Sequence, residues 1–437
     1  MSHGADFSRA ISRVPHGVPA GVALRCSAAL FAGIFGAHWV YSQWAERAMV
    51  DFLQNIVFWI GVSQGGFMLA VALTLTKGRW GRPLKRIAEA FAIMMPVLYI
   101  GLITFLLLGG IEVFPWVAEA RAHTLPAHKA VYLTEPFFLW RQIIGLGILI
   151  GLDWMYIKAS WRPDIGLMAE KLGDQAPGWY CCFTKNWTNL EDEIERSEQQ
   201  QRKWGALIVV AYSLIFSIVS VDLSMSLAPH WFANMFPAWF FMSSMWSGLV
   251  AIGIFSILAG RWLHIEYLLK PVVYHDLGKL IFAFCMFWGY TTYAQYLAIW
   301  YGNMTEETGF ILLRTQLEPW AGLSKVVVMA CFVIPWTLLL SRGMKKIRSS
   351  FLAVSTLILV GIWLERFVVM VPSVWRGDNL PIGLGEVLMP LGFGGVMVLL
   401  VCWVLSKIPA TPVTDKMSAP NDLEVHVHPR HEHHAAK

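Results

Sequence analysis

Apolar stretches of about 20 residues recur from Val18 to Lys407, separated by short charged loops. A helix needs roughly 20 residues to cross the hydrocarbon core of a bilayer. Inside lipid the backbone must satisfy its own hydrogen bonds, so each stretch is predicted to be a helix. The pattern places spans at 18–42, 52–76, 86–109, 134–158, 204–227, 234–260, 277–301, 321–341, 349–372 and 384–406. The fold class expected is all-α: a polytopic membrane protein with about ten transmembrane helices. Residues 1–17 read as an N-terminal segment, 18–407 as the transmembrane domain and 408–437 as a disordered, His-rich tail.

The charges between the spans predict the orientation. One set of loops carries Lys77, Arg79, Arg82, Lys85 and Arg86, then Lys158 and Arg162, Arg261 and Lys270, and Arg342, Lys345, Lys346 and Arg348. Arg9, Arg13, Lys407 and Lys416 fall on the same side, whereas the opposite loops hold little beyond Arg47, Arg121, Lys129, Arg314 and Arg376. The positive-inside rule puts the basic loops and both termini in the cytoplasm, which for a multi-pass bacterial protein means the inner membrane. An even number of spans agrees, because it returns the chain to its starting side. The longest cytoplasmic loop runs from about 159 to 203. It ends in LEDEIERSEQQQRKW, whose acids and bases at helical spacing predict a solvated extension of the fifth span.

Composition sharpens this picture. Hydrophobic residues make up 56% of the 437 and charged residues 14%, against about 25% charged in a soluble domain. The net charge of +5 comes from the loops and forms no basic stripe, so nucleic acid is not an expected partner. The six cysteines show no CxxC spacing, and Cys181 and Cys182 read as adjacent free thiols. Neither an iron–sulfur cluster nor structural zinc is indicated. A haem in a helix bundle needs two facing histidines at membrane depth, and only His38 lies clearly within a span. The expectation is a chain without redox centres or a metal of its own. The tail histidines in HVHPRHEHHAAK lack a rigid frame to position them as ligands.

Ionisable groups within spans are costly and therefore candidates for function. In the seventh span Asp276, Lys279, Ala283, Met286, Tyr290, Tyr293 and Leu297 share one helix face, with Gln295 nearby. Two readings fit. The acid and lysine are a helix-end ion pair and the tyrosines pack, or the face is part of a proton path. From Lys279 to Tyr290 is about 16 Å along a helix, so a path needs other groups, for which Ser63, Gln64, Ser243 and Ser247 lie at mid-membrane depth. Asp153, nearer the cytoplasmic end of the fourth span, is expected to meet the Asp276 region. A second set lies in the outer half: Arg141, Gln142, Asp222, Glu365, Arg366 and Glu386. Buried unpaired charges are destabilising, so these six are expected to pair with one another. Such a network is structural, or it is a quinone or proton site.

The segments VDLSMSLAPHWF (221–232) and HDLGKLIFAFCMFWGYTTYAQYLAIWYGNMTEET (275–308), with GRWGRPLKR (78–86) and FFLWRQIIG (137–145), closely resemble the F subunit of alternative complex III. That subunit belongs to the NrfD-like, polysulfide-reductase membrane-subunit superfamily, and the resemblance covers most of residues 50–372. Leu223 stands where the family has Trp and Ala228 where it has an acid, which puts any acid-dependent role there in doubt. The resemblance implies two four-helix bundles plus two extra helices. It implies a membrane subunit of a quinol:cytochrome c oxidoreductase, paired with a homologous C subunit, an iron–sulfur subunit and multihaem cytochromes. Haem and iron–sulfur centres then sit in the partners. The family is called quinone-binding, while scaffolding and proton conduction are its clearer role. On that reading Asp276 and Lys279 are the entry of the path and Tyr290, Tyr293 and Gln295 its outer relay. Two rivals remain: a membrane anchor of a polysulfide-reductase-type molybdenum enzyme, and a secondary transporter. The transporter expects helices broken at matching places in two halves, and Gly65–Gly66, Gly109–Gly110 and Gly394–Gly395 do not match in that way.

Overall fold

The computed structural model describes residues 17–375, 377 and 379–415. Residues 1–16, with Arg9 and Arg13, lie outside the described residues, as do Arg376 and the His-rich segment 416–437 with Lys416. The described residues are helical and contain no strand. Nine of their helices are long and apolar enough to cross a membrane. They are α1 (Ala20–Gln43), α2 (Ala45–Leu75), α3 (Arg82–Leu107), α4 (Glu135–Leu172), α5 (Leu190–Leu223), α6 (Phe236–Ala259), α8 (Trp320–Leu340), α9 (Arg348–Met370) and α10 (Leu384–Leu405). A further helix, α7 (Pro271–Gly302), has 32 residues and covers the expected seventh span. It falls short in apolarity, because Asp276, Lys279, Gln295 and several tyrosines dilute it. The chain is a multi-pass membrane protein.

The ends of the helices follow local chemistry. Pro83 opens α3 and Pro136 opens α4 in the first turn, where a missing N–H is harmless. Asn189 caps α5, accepting from the Asp192 amide at 2.8 Å, and Glu191, Asp192 and Glu193 sit in its first turn, where the helix dipole favours acids. Two spans are interrupted: α3 tightens at Ala92–Met94, just ahead of Pro96, and α8 widens at Met329–Val333, just ahead of Pro335. Proline removes a backbone donor, and local rewinding absorbs the loss.

Helices α2 to α5 pack on one another, α6 to α9 form a second group, and α1 packs along α10 at the edge of the first. The groups join where α2 crosses α6. A Cβ on Gly65 would lie 2.1 Å from the Ser244 carbonyl oxygen, and one on Gly248 2.0 Å from the Gly66 nitrogen. Only glycine permits this approach of two backbones, the usual device of helix association in membranes. The same holds at the edge, where a Cβ on Gly33 would meet Gly392 Cα at 2.6 Å. The outward sides of α1 and α10 expose Leu24, Phe31, Ile34, Trp39, Leu391 and Trp403, as lipid contact requires.

Two expectations need correction. The loop expected at 159–203 is mostly helix: α4 continues to Leu172, because Trp161, Ile165 and Met168 give it a buried apolar face beyond the span. Arg162 holds it to α5 through Glu193, with Nε to Oε2 at 2.5 Å. The start of the tail is also packed: Ile408 and Ala410 are buried, and Thr414 and Asp415 reach side chains of α3 and α4. Residues 408–415, expected to belong to a disordered tail, are therefore an ordered part of the fold.

Candidate functional site

Helix α4 carries a face of buried polar residues. Gln142, Asp153, Tyr156, Ser160 and Asp164 are all buried, and the last four step by three and four residues. That spacing stacks them on one side of a helix. Asp153 and Asp164 are eleven residues apart, about 16 Å of rise. The side they share faces α2, α3 and α5.

At the basic end, α3 supplies the partners. Arg86 donates to Glu89 Oε2 at 2.7 Å and to Asp164 Oδ2. Glu89 also accepts from Ser160 Oγ at 2.6 Å and from Trp161 Nε1 at 2.9 Å. Arg82 and Lys85 lie beside this group; both donate to Asp415, and Lys85 Nζ donates to Gln201 Oε1 at 2.7 Å. A cavity of about 40 Å³ lies here, lined among others by Lys77, Arg202, Ser160 and Thr74. It has room for water, whose share of liquid volume is about 30 Å³.

One turn deeper, the Thr74 and Tyr156 hydroxyls lie 2.6 Å apart, so that one donates to the other, and both are 3.0 Å from the Ala70 carbonyl oxygen, which accepts from the second. Deeper again, Gln64 donates to Asp153 Oδ1 at 3.1 Å. Asp153 Oδ2 and Gln64 Oε1 are fully buried without a hydrogen-bond partner. A buried carboxylate oxygen takes a proton or an ordered water, and a buried amide oxygen accepts a hydrogen bond from an ordered water. The arrangement is a series of buried polar clusters from the basic end to the middle of the bundle. Among the described residues no hydrogen bond joins the Thr74–Tyr156 pair to the Gln64–Asp153 pair, and Thr74 and Gln64 lie ten residues, about 15 Å, apart along α2.

The six outer-half residues do not form one network; they fall into three clusters. Asp222 accepts from Arg141 Nε at 2.8 Å, Gln142 Nε2 at 2.7 Å and Tyr132 Oη at 2.9 Å. Burial and the charge of Asp222 push the Tyr132 phenol above its ordinary pKa, so it stays a donor. Glu365 and Arg366 pair on α9, where Arg366 also donates to Ser243 Oγ at 2.7 Å and Glu365 accepts from Trp288 Nε1 at 3.1 Å. Glu386 pairs instead with Arg47. Helix geometry sets depth and facing separately, and charges at similar depth face different neighbours.

The polar face of α7 points away from the bundle. Tyr290 and Tyr293 are 65% and 62% exposed, and the buried side of the helix is Leu277, Gly278, Ile281, Cys285 and Trp288. Asp276 accepts from Lys279 Nζ at 2.8 Å, and Gln295 donates to Thr291 O of its own helix at 3.2 Å. Gln64 and Ser247 are buried elsewhere: Gln64 meets Asp153, and Ser247 donates to Ser244 O at 2.7 Å. The expected meeting of Asp153 with Asp276 does not occur, and the gap between Lys279 and Tyr290 is not filled by the side chains expected to bridge it.

Arg82, Lys85 and Arg86, loop charges by sequence, are buried here, and Glu89, Tyr156, Ser160 and Asp164 join the site although the sequence pattern did not single them out. The signal was present: an acid three residues after a base within a span start, and a three–four polar rhythm on α4. Arg314, also read as a loop charge, is buried; it donates to the Val368 and Val369 carbonyls at 2.9 and 2.7 Å. It caps the C-terminus of α9, and burial lowers its pKa to about 9. Near Tyr132 lies a cavity of about 480 Å³ with a mostly apolar wall that includes Val221, Met225, Trp231 and Met304. Among the described residues, His, Cys, Asp and Glu form no group of three or more that could hold a metal. No family model matches the chain, and no curated protein matches it.

Proposed function

We propose that this chain is a membrane subunit of a bacterial quinol:cytochrome c oxidoreductase of the alternative-complex-III class, in which it scaffolds the complex and conducts protons. The residue-level resemblance in 221–232 and 275–308 carries the assignment to that class, and α7 then counts as a tenth span. The packing of α2–α5, α6–α9 and the α1–α10 pair supports the two bundles and two extra helices expected of an NrfD-like subunit. Its partners are a homologous C subunit, an iron–sulfur subunit and multihaem cytochromes, which hold the redox centres. It lies in the inner membrane with both termini cytoplasmic, so the basic end faces the cytoplasm.

The observation that carries proton conduction is the file from the basic-end cavity to Asp153. A bare charge at mid-membrane costs several kcal/mol or more, and hydroxyl, carboxyl and amide groups spaced by helical turns lower that cost. Protons enter past Lys85 and Ser160, pass the Tyr156–Thr74 pair and cross to the Asp153–Gln64 pair through ordered water, since Thr74 and Gln64 are ten residues, about 15 Å, apart on α2. The outer cavity beside Tyr132 suits a quinone contact, since its apolar wall fits an isoprenoid and Tyr132 links it to the buried Asp222. The transporter reading gains nothing: the interruptions lie in the second helix of the first group and the third of the second.

The test uses the complex purified from native membranes and placed in proteoliposomes. Asp153→Asn is expected to leave assembly intact and to lower the proton-to-electron ratio or slow turnover. Wild-type values for both in a fully assembled variant would overturn the conducting role. Failure of a second, homologous membrane subunit to co-purify would overturn the assignment to this class.

A further inference from the structure

The chain's own C-terminal segment lies across the mouth of the polar file. After α10 the backbone turns back under the bundle, pinned by buried Ile408 and Ala410. Thr414 donates to Asp164 Oδ1 twice, from its amide at 2.9 Å and its hydroxyl at 2.7 Å. Asp415 then places its carboxylate between Arg82 and Lys85, with Lys85 Nζ at 3.2 Å. Pro412, Thr414 and Asp415 all line the 40 Å³ cavity, together with Ser160 and Thr74.

We propose that residues 410–415 are a strap whose Asp415 fills an anion site made by Arg82 and Lys85, closing the cytoplasmic entrance until the strap lifts. Three features argue for a removable ligand rather than a fixed part of the core. The contacts beyond Pro412 are polar, and Val413, Thr414 and Asp415 are only half-buried. Lys85 keeps a second acceptor in Gln201, so it is not left unpaired when the carboxylate leaves. Asp164 likewise keeps Arg86 on its other oxygen when Thr414 leaves. Two cations that hold one carboxylate also form a site for any small anion, so the chemistry recognised is a carboxylate or a phosphate, and the strap supplies it from within the chain. The control of proton entry rests on the proton-conducting reading above; the closing itself does not.

The test reads closure directly. Ser197 lines the cavity and is buried, whereas Cys181 and Cys182 are exposed thiols. In the full chain carrying Cys181→Ser, Cys182→Ser and Ser197→Cys, a membrane-impermeant maleimide is added to inside-out vesicles and the labelling rate at position 197 is measured. Adding Asp415→Asn with Thr414→Val is expected to raise that rate at least about tenfold, the factor expected from losing even one of the three charge-assisted hydrogen bonds these substitutions affect. Asp415→Glu, which keeps the charge, is expected to restore slow labelling. Equal rates with and without the strap substitutions overturn the strap, as does fast labelling in the Glu variant. Proton uptake by the same vesicles separates the two ideas: faster labelling with unchanged uptake keeps the strap and overturns the proton route.

Discussion

Helices α4 and α7 carry the same kind of pattern and have opposite fates. Each has polar residues at three- and four-residue steps along a membrane-length helix. On α4 the stripe turns inward, and its acids and hydroxyls meet Gln64, Thr74, Arg86 and Glu89. On α7 the stripe turns outward, and its groups meet their own helix or the surface. Polar periodicity therefore marks a face without saying what the face meets. Burial with complementary partners is what turns such a face into a site.

The comparison can be broken, beginning with the largest effect. Arg86→Met leaves Glu89 and Asp164 buried without their shared cation. It is expected to cost about 3–5 kcal/mol, seen as loss of folded protein and a lowered melting temperature in detergent. A variant of wild-type stability would mean that the basic-end cluster is solvated and that α4 is no more interior than α7. Asp153→Asn keeps an acceptor for Gln64 but can no longer pass a proton. Stability should change little, while proton uptake slows at least about tenfold, equivalent to about 1.4 kcal/mol.

Smaller effects are expected on α7. Asp276→Asn removes a partly exposed pair, so melting should register at most about 0.2–1 kcal/mol, and proton uptake should not change. Tyr290→Phe with Tyr293→Phe removes two outward hydroxyls and should shift stability by less than about 0.5 kcal/mol. If the double tyrosine variant slowed uptake as much as Asp153→Asn, the outward face would carry the protons and the contrast would be reversed.

Legibility was greatest where one helix decides the outcome. The apolar runs located every long helix, and the break at Pro335 and the start at Asn189 follow from residues beside them in the chain. The helical extension of α5 was readable from its charge spacing, but it is not fully solvated: Glu193, Ser197 and Gln201 are buried on its inner face. The onward run of α4 to Leu172 was not, because its apolar face has meaning only against α5. Arg86 illustrates the same limit: as a sequence position it is a basic residue near a span end, and the topology rule claimed it. Its burial follows from Asp164, which lies 78 positions away.

The sequence alone determined a helical, multi-pass membrane protein and the residues that share each helix face. These depend on hydrophobicity, charge and the 3.6-residue turn, all of which act within a short segment. Only the tertiary structure decided which polar face is interior, that Asp222, Arg366 and Glu386 belong to separate clusters, and that Asp415 reaches Arg82 and Lys85. The rotation of each helix about its axis is set by its neighbours, through close approaches such as Gly65 on Ser244 and through buried charges that must find partners. Those constraints link residues far apart in the chain, and no local pattern contains them.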